Sequence, residues 1–401
     1  MPKCLICENS VKQVLSLGKT ALANSFLKNN SENESFYPLE VYFCETCFHV
    51  QLGYLVSPKI MFENYVYVSN TSDSLKKHFS ELVQDVLTKI SKKDEFLVVD
   101  IGSNDGTLLK QFKENGCKVL GVEPAKNIAN IAKSNGIDTW NDFFNKESAK
   151  EIRKIKGPAK IVSGTNVFAH QPEYDSFMNG VLELLDEDGI FVIEVPYLVN
   201  LIKSLEFDTI YHEHVSYFSV RPLEKLLNKF GLEIFSIDEK TIHGGTIRVM
   251  SRRGRNSLPK ENKFLQIERE MGLDKIETFY EFAKKVQDVK KQLVCLLKDL
   301  RNSGKRIAGY GAAAKGNTLL SYCEIDKNMI EYIIDKNPLK QGLLTPGTHI
   351  PVLSTEIIKE NPPEYLVILA WNFAEEIMEQ QSEFKRNGGK FIVPLPVPKI
   401  I

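Results

Sequence analysis

Residues 96–109, FLVVDIGSNDGTLL, constrain this chain more than any other stretch. An apolar run ends in Asp100, a glycine turn follows from Gly102 to Gly106, and Thr107-Leu108-Leu109 opens a helical pattern. Strand, glycine turn and helix make a nucleotide-cofactor site. The glycines admit a ligand close to the backbone, and the helix N-terminus offers N–H groups. The turn is not the dinucleotide G-x-G-x-x-G. Its glycines stand four apart, and Asp105 inside it would repel a pyrophosphate, so NAD is disfavoured. A second apolar run, 119–122, ends in Glu123, the position of an acid that grips ribose hydroxyls. A plain structural turn competes with this reading, and the acid after the next strand argues for the cofactor.

Strands are expected at 96–100, 119–123, 160–163, 189–194, 232–237 and 246–250, with helices at 76–90, 107–115, 126–135, 173–185 and 222–230. The alternation predicts an α/β doubly wound, mostly parallel sheet covered on both faces. D-x-G-S-x-x-G followed by G-V-E resembles a class I S-adenosylmethionine-dependent methyltransferase. That likeness points to Asp100, Gly102, Asn104, Gly106 and Glu123 as cofactor residues. Three more stretches project to the same sheet edge. They are WNDFF at 140–144, whose Asp142 and Phe143 suit an adenine, TNVFAH at 165–170 with Asn166 and His170, and EVPY at 194–197. In 60–80, Tyr65 and Tyr67 precede serines that include Ser72. The bland reading is a loop and an N-capped helix, and the functional one sets these hydroxyls over the cofactor.

Cys4 and Cys7 are answered, 36 residues on, by Cys44 and Cys47. Two C-x-x-C knuckles suit one tetrahedral structural zinc with no open position; disulfides are the alternative. His49 reads as a surface residue or an outer neighbour of that site. Cys117, Cys295 and Cys323 stand in apolar stretches and read as small core residues.

Length allows two or three domains in 401 residues. A net charge of −1 leaves no basic field for nucleic acid or anionic lipid. No apolar run of about 18 residues and no signal-peptide core is present, so the expected compartment is the cytosol, without a membrane span.

The densest chemistry is YHEHVSYF at 211–218, in a chain with seven histidines. On a strand, His212 and His214 would share a face. A metal would need a third ligand, and a packed loop is possible. General acid/base work suits histidine, whose pKa lies near neutrality. His243-Gly244-Gly245 reads as a hairpin signal. Residues 259–302 read as linking helices with a break near Gly272, and a second α/β domain starts at Gly304. Its strands are expected at 330–334, 365–370 and 390–393. Its turn GYGAAAKG holds Tyr310, Lys315 and Asn317, and it is either structural or an anion site.

The order of parts resembles the nucleotide-sugar C-3 methyltransferase family of deoxysugar biosynthesis. The parts are four cysteines, a core with YHEHVSYFS, and a terminal domain with GYGAAAKG and DKNPLKQG. The resemblance divides the chain into a zinc-binding module (1–70), a methyltransferase core (71–258), a helical linker (259–303) and a Rossmann-like domain (304–401). It implies methyl transfer to C-3 of a nucleotide-linked 4-keto-deoxysugar, often dTDP-linked, through an enolate. His214 would be the base. Glu213, Tyr211, His170 and Tyr65 or Tyr67 would surround the sugar, and Tyr310, Lys315 and Asn317 would hold the nucleotide. Two alternatives remain: an O- or N-methyltransferase, and a zinc-ribbon interaction protein on a methyltransferase scaffold.

Overall fold

The computed structural model describes residues 2–62, 73–90 and 95–401, apart from the side chains of Asp73 and His243. Tyr65, Tyr67 and Ser72 lie outside the described residues.

Strands β1 (Lys12–Ala21), β2 (Phe36–Phe43) and β3 (Val50–Leu52) form an antiparallel N-terminal sheet. Leu39, Val41 and Phe43 alternate inward along β2, as a half-buried strand requires. One cysteine pair precedes β1 and the other lies between β2 and β3.

The central sheet contains β4 (Leu97–Ile101), β5 (Lys118–Val122), β6 (Thr139–Trp140), β7 (Ala159–Thr165) and β8 (Leu185–Pro196). The chain then leaves it. β9 (Ser216–Tyr217) pairs with β3 instead, Val50 opposite Tyr217, so the N-terminal sheet takes its fourth strand from the core. β10 (Leu232–Lys240) and β11 (Thr246–Arg253) return and complete the order β10-β11-β8-β7-β4-β5-β6. Every residue of β4 is buried, which explains its unbroken apolar run. β4 lies between β5 and β7, so the glycine turn stands at the switch point. The Gly-Gly hairpin joins β10 to β11 with φ of 91° and 120° at Gly244 and Gly245. Helix Lys146–Lys156 had no place in the sequence reading. Its signal was a capping box, in which Asn145 and Ser148 each accept the other's backbone N–H.

Helices Lys263–Glu270 and Ile276–Asn302 flank Gly272. The long one does more than link. It buries Phe279, Phe282, Val286, Val289, Leu293 and Leu297, and Phe279 meets Phe43 at 4.7 Å. Cys295 is exposed on this helix, against the core expectation, whereas Cys117 and Cys323 are buried. The third sheet contains β12 (Ile307–Tyr310), β13 (Ile333–Ile334), β14 (Val352–Leu353), β15 (Tyr365–Ile368), β16 (Lys390–Val393) and β17 (Lys399–Ile400). Its order is β14-β13-β12-β15-β16-β17, parallel except for β17. β13 has two residues, shorter than the sequence suggested.

Candidate active site

One cavity of about 810 Å³ opens where the three parts meet. The glycine turn forms one wall. Gly102 has φ of +64°, and a Cβ there would lie 2.4 Å from Val167 Cγ2, so only glycine fits. Asn104 also takes a positive φ, 50°. The Glu123 carboxylate accepts the N–H of Asn104 at 3.0 Å and of Ala125 at 2.9 Å, which ties the acid to the turn. Asp105 does not face a ligand. Its carboxylate accepts the Thr107 N–H and hydroxyl at 3.1 and 2.6 Å, at the start of the helix. Burial pushes Asp100 up to about 7, although the Ser163 hydroxyl, 2.6 Å away, holds it down. Phe143 and Asn166 line the cavity. Asp142 is exposed and outside the lining; it accepts the Phe143 N–H at 2.7 Å.

Four aromatic rings line the same cavity, two pairs of them stacked and the third tilted. Phe62 lies on His170 at 5.8 Å, His170 on His214 at 5.1 Å, and Tyr211 on His214 at 4.1 Å. His214 Nδ1 meets the Thr209 carbonyl at 2.8 Å, and Nε2 meets the Tyr211 hydroxyl at 2.8 Å. A carbonyl only accepts, so Nδ1 carries a proton, and in the neutral form of the ring the lone pair is at Nε2. Burial lowers His170 to about 4, so it is neutral at pH 7. Residues 211–214 form a turn, so the shared face that a strand would give the two histidines does not arise. His212 is buried against the N-terminal sheet, 3.3 Å from the Pro38 carbonyl. Glu213 is buried and accepts from Asn24 Nδ2 at 2.6 Å. The Thr209 carbonyl, rather than Glu213, orients His214.

The C-terminal domain closes the cavity with Lys315, Lys340, Asn372 and Phe373. Lys315 Nζ lies 3.7 Å from Glu206 and 5.5 Å from the Trp371 ring centre. Burial lifts Glu206 to about 7 against the pull of Lys315. Tyr310 and Asn317 are absent from the lining. Tyr310 accepts from Gln381 at 3.2 Å, and Asn317 donates to the Ala23 carbonyl at 2.7 Å. Of EVPY only Pro196 reaches the cavity. Glu194 is buried under it with Arg248 at 2.6 Å and His78 at 2.7 Å.

The thiol sulfurs of Cys4, Cys7, Cys44 and Cys47 lie within 4.8 Å of one another. A zinc about 2.3 Å from each would set them roughly 3.8 Å apart, so the donor set fits. His49 is neither a surface residue nor idle. It is fully buried, bonded to Ser216 at 3.0 Å and packed on Phe218 at 5.2 Å, joining the cysteine module to β9. The sequence reading also missed Asn24, Lys340 and Arg248. Only Lys340 had a nearby signal, the DKNPLKQG segment.

Three family models match in succession: a putative zinc binding domain over 4–62, a methyltransferase domain over 75–237, and a C-methyltransferase C-terminal domain over 241–396. The C-methyltransferase NovU of Streptomyces niveus is 38% identical over 405 residues, covering 100% of this chain and 96% of that protein. The chain belongs to the C-methyltransferase family. Solved structures also align at low identity. The magnesium protoporphyrin IX methyltransferase of Synechocystis PCC 6803 with bound SAM is 12% identical, covers 45% of this chain and 79% of that one, and gives a TM-score of 0.34. The CcbJ methyltransferase of Streptomyces caelestis is 13% identical, covers 48% and 97%, and gives 0.37. This C-methyltransferase is S-adenosylmethionine-dependent, and its N-terminal module is a zinc-binding one. No helix among the described residues is long and apolar enough to cross a membrane.

Proposed function

We propose that this C-methyltransferase methylates C-3 of a nucleotide-linked 4-keto-deoxysugar and that His214 is the base. The observation that carries the reading is the lone pair at His214 Nε2, on the wall of the cavity that the glycine turn also lines. Such a base serves a carbon acid, and a 4-keto group acidifies the C-3 proton. Bound S-adenosylmethionine supplies a methyl group on a sulfonium, which leaves as a neutral thioether. Gly102, Asn104, Glu123, Phe143 and Asn166, all on the cavity wall, would hold it, while Gly106, outside the lining, turns the chain into the helix with φ of 81°. As Nε2 takes the C-3 proton, the Tyr211 hydroxyl turns from Nε2 to the developing oxyanion at O-4. Neutral His170, stacked on His214, offers a second N–H to that oxygen, and buried Glu213 balances the imidazolium. C-3 then forms the new bond to the methyl carbon, with positioning supplying much of the rate.

The nucleotide, which we take as dTDP, runs toward Lys315 and Lys340, the cations that the C-terminal domain brings to the cavity. The units 1–70, 71–258 and 304–401, joined by 259–303, each contribute wall. The test is methyl transfer over a panel of nucleotide sugars with and without a 4-keto group, with the methyl located by NMR. A C-3 methyl on 4-keto substrates alone is expected. An O- or N-methyl product, or turnover of sugars lacking the ketone, overturns the reading.

A further inference from the structure

The stretch 22–27 between β1 and β2 was silent in sequence, yet all three parts of the molecule hold it. Asn317, buried in the C-terminal domain, donates to the Ala23 carbonyl at 2.7 Å. Leu27 and Leu344 exchange backbone hydrogen bonds of 3.0 and 2.8 Å. The Lys340 ammonium lies 5.2 Å over the Phe26 ring and donates to the Ala312 carbonyl at 2.7 Å. At the centre, Asn24 lines the cavity and its amide donates to Glu213, 189 residues away, at 2.6 Å.

We propose that Asn24 is a positioning residue. It fixes the buried Glu213 carboxylate as an acceptor between the cavity-lining residues Tyr211 and His214, and through stretch 22–27 it makes that carboxylate answer to the seating of the C-terminal domain. The inference rests on the acceptor-pocket reading of Glu213 given above. Among the described residues, Tyr211, His212 and His214 stand on the same turn as Glu213, and Lys340, which Asp335 also faces, lies in its field. Burial lowers the Lys340 pKa, while Asp335 and Glu213 hold it up, so Glu213 and Lys340 share a field. An amide is the one side chain of this shape that donates to Glu213 without adding charge.

Asn24→Asp tests this in the full-length, zinc-loaded protein, because shape is kept and only the donor becomes titratable. When protonated, the new carboxyl donates as the amide did. When ionised, it faces Glu213 at like charge, so the shared proton is held to a raised pKa. A carboxyl with a raised folded pKa loses its stabilising effect as pH rises through that value. The variant's unfolding midpoint should therefore fall relative to wild type as pH rises from about 4 through the raised folded pKa, and level off above it. Its kcat should gain an alkaline decline of about tenfold or more that wild type lacks, one decade per pKa unit. Superimposed unfolding curves overturn the assigned contact whatever the acceptor proves to be. A shifted unfolding curve with an unchanged kcat profile makes Asn24 merely structural and also overturns the proposal. A wild type that fails on every 4-keto sugar refutes the acceptor reading instead. The unfolding comparison then still decides the contact.

Discussion

Replacing His214 by Asn tests the proposed base apart from the scaffold, because much of what the ring does structurally can be remade. The Asn amide can still donate to the Thr209 carbonyl, which the imidazole meets at 2.8 Å. What is lost is the bond from Tyr211 at 2.8 Å and the ring contacts to His170 at 5.1 Å and Tyr211 at 4.1 Å. A hydrogen bond is worth about 1 kcal/mol and each ring contact about 0.5–1.5 kcal/mol. The structural cost is therefore about 2–4 kcal/mol, below the roughly 5–15 kcal/mol that holds a typical protein folded. The catalytic loss shows directly in rate, whereas the structural cost is absorbed by the folding margin. Removing a general base costs about 10²–10⁴-fold in kcat, or about 2.7–5.4 kcal/mol of barrier. The most direct assay is washout of the C-3 hydrogen into deuterated water with S-adenosylhomocysteine in the cofactor site. Wild type should exchange and His214→Asn should not, while S-adenosylmethionine affinity stays within about threefold, under 1 kcal/mol. A folded variant that exchanges and methylates like wild type refutes the assignment and moves the search to Tyr211 and His170.

Gly102→Val forces a β-branched residue to φ of +64° with its Cβ 2.4 Å from Val167. Strain of about 1–2 kcal/mol plus overpacking of about 1–3 kcal/mol should weaken S-adenosylmethionine binding by tenfold or more, read by calorimetry; a wild-type Kd would count against the cofactor site. Arg248→Met leaves Glu194 buried without its guanidinium partner and should lower unfolding free energy by about 3–5 kcal/mol in urea titrations. Arg248→Met with Glu194→Leu should recover most of that, and a double variant as weak as the single would argue that packing, not charge, sets the cost. Purified protein should carry about one zinc per chain, and Cys44→Ser should release it and lower the thermal midpoint. Metal analysis showing undiminished zinc in that variant would place the ion elsewhere.

The parts of the site that were legible in sequence are those written within one strand–turn unit. The glycines at 102 and 106, Glu123 and the two cysteine pairs owe their spacing to local geometry, so period and turn chemistry expose them. YHEHVSYFS announced its chemistry but not its shape. Whether His212 and His214 share a face depends on β9 joining a sheet whose other strands lie about 170 residues earlier. Asn24 with Glu213, and Arg248 with Glu194 and Asp85, are pairs of ordinary residues joined only by the folded chain. A lone Asn in a loop carries no signal of its partner. Tyr310 and Asn317 looked like ligands because their turn is rich in glycine. In the fold these two side chains turn away from the cavity that Lys315 lines: Tyr310 accepts from Gln381 and Asn317 donates to the Ala23 carbonyl.

The borrowed strand has a consequence for how the protein is made. The zinc module precedes the methyltransferase core along the chain, yet its sheet is completed by Ser216 and Tyr217, and stretch 22–27 is held by Asn317 and Leu344. The nascent module must wait, an edge strand exposed, while the methyltransferase core is synthesised, and the cavity closes only after the terminal domain emerges. Pairings across such separations are slow to form and prone to capture by other chains. Early zinc binding, which needs only the first 47 residues, would hold the knuckles in register through that interval.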